Sequence, residues 1–178
     1  MKIRNGFVSN SSSSSFIVIG SFPSDSELEK PVEHIQDVVY DSDSDTLLLP
    51  NSNIGENEFG WESVRYEAFG SKLNFCALQI LYIKDYSKEE GSYIIHDERL
   101  PKGTDWKVYY DMLKEVCRDY LNVNIELRKD LYDDETGYID HQSCAGEGEN
   151  MEMFKDKDSL ISFLFSEESY IQGGNDND

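Results

Sequence analysis

The chain predicts an α+β fold: a single domain in which a small mixed or antiparallel sheet packs against two main helices, about 71–86 and 105–121, with a short C-terminal helix at about 159–165. Three observations carry this. Between Ser71 and Tyr86, Leu73, Phe75, Cys76, Ala77, Leu78, Ile80, Leu81 and Ile83 leave almost no polar face, the pattern of a helix buried on most sides. Between Asp105 and Leu121, Trp106, Tyr110, Leu113, Val116, Cys117, Tyr120 and Leu121 form one apolar stripe, while Asp111, Lys114, Glu115 and Arg118 face water. The short strand-like runs are mixed with helices rather than alternating strictly with them, so a repeated strand–helix–strand fold is not indicated.

Taken in order, Met1–Ser15 is an N-terminal segment with five consecutive serines, Ser11–Ser15, that hold no side chains for a core. Phe16–Ile19 is a short β-branched, apolar run bounded by Gly20 and reads as a buried strand. Pro31 precedes Val32, Ile35 and Val39 at helical spacing, although residues 35–40 would also pass as a strand. Leu47–Leu49 reads as a strand, Asn51–Asn57 as turn, and Phe59–Tyr66 as one strand or extended edge. Ser71 is the expected N-cap of the first main helix and Thr104 that of the second. Ser92–His96 and the alternating Val123–Arg128 are strands, and Tyr132–Asp140 folds back as a hairpin partner. Cys144–Asn150 is a Gly- and Glu-rich loop; Asp156 or Asp158 caps the last helix. Residues 16–172 make the domain, with Ser169–Gln172 as an edge strand and 173–178 as a polar tail.

Charge restricts the partners. Sixteen basic against 36 acidic residues give a net charge of −20 over 178 residues, which repels phosphate backbones and anionic membrane surfaces. Direct nucleic-acid binding and membrane association are therefore not expected, and a basic protein surface is. No run approaches the roughly 18 apolar residues of a membrane span, and Phe16–Ile19 is too short for a signal-peptide core. Cys76, Cys117 and Cys144 are odd in number, widely spaced and without a CxxC pair, so neither a disulfide framework nor a zinc knuckle is signalled. Cys76 and Cys117 fall within apolar helical patterns and read as core residues.

The opening carries a resemblance. Asn5-Gly6-Phe7-Val8-Ser9-Asn10, the serines and Phe16-Ile17-Val18 resemble an N-terminal segment of uncharacterised proteins of tailed bacteriophages. The resemblance covers about a tenth of the chain. It implies a phage product acting in the host cytoplasm or carried in the virion, and it transfers no catalytic residue.

Three constellations could carry chemistry or binding. Asp41, Asp43 and Asp45 alternate with serines like the start of a calcium loop, but Thr46 and Ser52 stand where that loop needs Gly and Glu, so a solvated acidic loop is expected. Asp140, His141 and Cys144 form a catalytic-looking cluster, yet neighbouring strand residues point to opposite faces, and Asp140 would not orient His141 for attack by Cys144. His96 and His141 could share a metal, but no ligand spacing supports it. Accordingly no catalytic residue, metal or cofactor is assigned. The reading favours a non-enzymatic acidic protein that inhibits or modulates a host protein with a basic surface, or contacts a phage protein with one. Asp41, Asp43, Asp45, Phe7, Val8 and Trp61 are the candidate contacts. The alternatives are a virion or assembly component docking through the N-terminal segment, and a small metal-dependent hydrolase or transferase using His96 and His141.

Overall fold

The computed structural model describes residues 15–20, 32–42, 44–60, 62–86, 105–129, 136–140 and 148–175. The elements in chain order are β1 (Ser15–Ile19), α1 (Val32–Asp41), β2 (Thr46–Leu49), β3 (Glu58–Phe59), β4 (Arg65–Tyr66) and α2 (Phe69–Tyr86). There follow α3 (Trp106–Leu121), β5 (Asn124–Leu127), β6 (Tyr138–Ile139), a 3-10 turn (Gly148–Phe154), α4 (Lys157–Phe165) and β7 (Ile171–Asn175). This is an α+β arrangement with α2 at its centre. Every residue from Gly70 to Leu81 is buried, and α2 packs on α3, α4 and β6. A helix without a polar face has no side to turn to water, which is why its neighbours close around it.

The core joins Leu73, Phe75 and Leu78 of α2 to Leu113 and Val116 of α3, Phe163 and Leu164 of α4, and Leu47 and Leu49 of β2. Phe59 meets Phe75 edge-on, with ring centroids 5.2 Å apart. On α3 the predicted stripe lies inward at Leu113, Val116, Cys117 and Leu121, while Asp111, Glu115 and Arg118 are exposed. In β5 the alternation holds as well: Ile125 is buried between exposed Asn124 and Glu126.

Among the described residues the β component is three small sheets. β1, β7 and β4 form an antiparallel sheet in that order; β2 pairs in parallel with β5, and β3 in parallel with β6. Several expectations change as a result. Phe59–Tyr66 is not one strand: Gly60, at φ 114°, turns the chain, and the two ends enter different sheets. Tyr138–Ile139 pairs in parallel with Glu58–Phe59, and the rest of the expected hairpin partner, residues 132–135, lies outside the described residues. Residues 173–175, expected in a polar tail, belong to β7, the central strand of its sheet, so residues 169–172 lead into the middle of a sheet and not to its edge. Glycine is needed there because a Cβ on Gly173 would stand 2.8 Å from the Glu62 carbonyl oxygen. Ser15, placed in the N-terminal segment, opens β1 opposite Asn175.

The helix starts also move. Ser71 lies inside α2 instead of capping it; its hydroxyl accepts the Glu56 N–H at 3.0 Å. α3 is capped by Asp105, whose carboxylate accepts the Lys107 N–H at 3.0 Å, while Thr104 lies outside the described residues. Asp156 caps α4 through the Ser159 N–H at 2.8 Å. The predicted strand Ser92–His96 lies outside the described residues. Among the described residues no helix is long and apolar enough to cross a membrane.

Candidate protein-binding surface

Four polar side chains on α2 are buried, Ser71, Lys72, Asn74 and Gln79, and two of them, Ser71 and Asn74, shape the surface above. Asn74, fully buried, donates to the carbonyls of Asn51, Gly55 and Glu56 at 2.9, 3.1 and 3.2 Å, and accepts the Asn51 N–H at 2.9 Å. With the Ser71 hydroxyl on Glu56, it moulds residues 51–56 onto the start of α2. The fit is tight: a Cβ on Gly70 would run into the Ile54 carbonyl. Lys72, 2% exposed, points the other way, and its amine donates to the Ser166 carbonyl at 2.8 Å and the Ser169 hydroxyl at 2.9 Å. Burial pulls its pKa down to about 8, against upward pulls from Cys76 and Glu67. The fourth, Gln79, is buried as well.

The moulded loop leads into a glutamate face. Glu56, Glu58 and Glu62 are exposed, and among the described residues none of them has an ion-pair partner. They surround two tyrosines. Tyr66 donates its hydroxyl to the Glu58 carbonyl at 2.8 Å; burial raises its pKa, and Glu56, Glu62 and Glu58 raise it further. Tyr138 is 43% exposed, and its pKa is raised by partial burial and then by Glu58, Asp140 and Glu62. The nearby cation Arg65 is engaged with Glu67 and lies 3.6 Å over the Tyr170 ring. This is an anionic and partly aromatic surface, of a kind that attracts a cationic side chain.

The residues named from sequence are distributed differently. Asp41 ends α1 and Asp45 precedes β2, both exposed; Asp43 lies outside the described residues. The turn between them is held by serines: Ser42 donates to the Val39 carbonyl at 2.9 Å, and the Ser44 hydroxyl bonds both backbone groups of Thr46 at 3.0 Å. Phe7, Val8, Trp61, His96, His141 and Cys144 lie outside the described residues. Asp140 is buried, and its N–H donates to the Phe59 carbonyl at 2.8 Å, continuing the β3–β6 pairing. Among the described residues no group of three His, Cys, Asp or Glu is placed to hold a metal. Cys76 and Cys117 are fully buried; burial pushes the Cys76 thiol well up and the Cys117 thiol up to about 12, the opposite of a reactive thiolate.

Sequence reasoning named Asp41, Asp43 and Asp45 and passed over Glu56, Glu58 and Glu62. The available signal was Glu56-x-Glu58-Phe59-x-x-Glu62, carboxylates threaded through aromatics with no base until Arg65. No family model, curated protein or solved structure matches this chain.

Proposed function

We propose that this is a non-enzymatic, strongly acidic binding protein of a tailed bacteriophage, acting in the host cytoplasm on a protein with a basic surface. The N-terminal resemblance supports the origin, and the net charge of −20 supports the choice of partner. The observation that carries the reading is the glutamate face. Three exposed carboxylates without ion-pair partners among the described residues stand around Tyr66 and Tyr138, and the loop that leads into them, residues 51–56, is held in one shape by Asn74. A pre-shaped loop loses little conformational freedom on association, so its charges contribute to affinity and to the rate of encounter.

The test is capture from bacterial lysate on immobilised protein, in parallel with the Glu56→Lys/Glu58→Lys/Glu62→Lys variant. A protein retained at low salt, released as salt rises, and not retained by the variant is the expected result. Retention that ignores both salt and the three substitutions would sink the reading.

A further inference from the structure

Among the described residues, strand β2 is paired along one edge and has one unbonded position on the other. In its parallel ladder with β5 the Leu49 carbonyl accepts the Arg128 N–H at 2.8 Å. Leu47 and Leu49 therefore turn their backbone groups toward β5, and the alternation turns those of Thr46 and Leu48 outward. Thr46 is closed by its own chain, since the Ser44 hydroxyl bonds both its N–H and its carbonyl. Among the described residues nothing bonds the outward N–H and carbonyl of Leu48, whose side chain is 40% exposed. Beside it runs a groove of about 510 Å³ between the end of α1 and β2, lined by Val38, Asp41, Ser42, Leu48, Asn51 and Asn53 among others.

An outward donor and acceptor on one residue match the pair of bonds that one residue of an added strand makes. Val38 and Leu48 offer an apolar seat, and Asp41 an anionic rim. Among the described residues no lysine or arginine lines this groove, nor the neighbouring one that holds Tyr40 and Asp45. We infer that the outer edge of β2 docks an extended segment of a protein partner in which lysine or arginine alternates with apolar residues. This rests on the reading of the partner as basic and adds the form in which part of it binds.

The experiment titrates a short synthetic peptide alternating lysine and valine into the isotope-labelled full chain at low salt, followed by NMR. The same peptide with glutamate for lysine is the control. The Leu48 amide is expected to shift with the lysine peptide and not with the glutamate one. Leu48→Pro deletes the outward N–H, which the β5 ladder does not use, together with the leucine side chain of the apolar seat, and should weaken binding about tenfold. Asp41→Lys keeps every backbone group, opposes the charge, and should weaken it by a similar factor, about tenfold; it also decides the matter if the proline variant does not fold. No binding to wild type at low salt, or equal binding by the folded variants, overturns the inference. If lysate capture through Glu56, Glu58 and Glu62 persists in that case, the edge inference falls and the binding reading stands. If capture fails, the binding reading falls whatever the peptide does.

Discussion

Helices α2 and α3 lie against each other, carry similar kinds of polar residue, and use them in opposite ways. On α3 the polar residues face water and pair with near neighbours, as Lys114 does with Asp111 at 2.6 Å. On α2, Lys72 and Asn74 are inside, each bonded to backbone carbonyls of another segment. A solvated polar side chain can be lost at little cost, whereas a buried one that satisfies several partners leaves them all unmet. The interior polar residues of α2 therefore shape the outside: Asn74 holds the loop that ends at Glu56 and leads into the glutamate face, and Lys72 holds the turn leading into β7.

The difference is open to direct attack. Asn74→Ala should have the largest effect. It removes four hydrogen bonds at a fully buried position and should cost about 2–4 kcal/mol in urea unfolding, while loosening residues 51–56 and weakening partner capture. A loss below ~1 kcal/mol would show that the loop holds its shape without Asn74.

Lys72 gives the next effect, and its sign is specific. The folded pKa of about 8 lies below the ordinary 10.5, so folding penalises the charged amine. That penalty is fully present below pH 8 and is relieved as pH rises toward 10.5, so the contribution of Lys72 to stability should rise across this window, by roughly 3 kcal/mol at most. The buried thiols of Cys76 and Cys117 act oppositely once pH approaches their ordinary 9.0, and Tyr66, Tyr110 and Tyr138 above pH 10, because their raised pKa values make the folded state keep its protons longer. The clean comparison is therefore the stability difference between wild type and Lys72→Met, in which those groups cancel and which should move in favour of wild type between pH 8 and 10. A difference that stays flat with pH would contradict the assignment to Lys72. Smallest is Lys114→Ala on α3, expected to change urea stability by less than about 0.5 kcal/mol because its ion pair is exposed.

Much of the architecture was legible because it follows from periodicity. The all-round apolar run of α2, the stripe of α3, the alternation at Ile125 and the cap at Asp156 each depend on a few neighbouring residues. What was not legible depends on residues far apart in the chain. That Gly173 sits in the middle of a sheet follows from the approach of the Glu62 carbonyl, more than a hundred residues away. That Ser71 serves the loop and not the helix end follows from the position of Glu56. The glutamate face was missed for the same reason: Glu56, Glu58 and Glu62 are ordinary surface residues until β3–β6 pairing brings Tyr138 and Asp140 beside them.

The central claim is that this face is the binding surface and that charge drives its association. The most direct measurement is the dissociation constant of the captured protein against wild type and against Glu56→Lys/Glu58→Lys/Glu62→Lys over a range of salt. The account predicts a steep weakening with salt for wild type, and for the variant weak binding with a much flattened salt dependence. Equal affinities with the same salt dependence for both would contradict it.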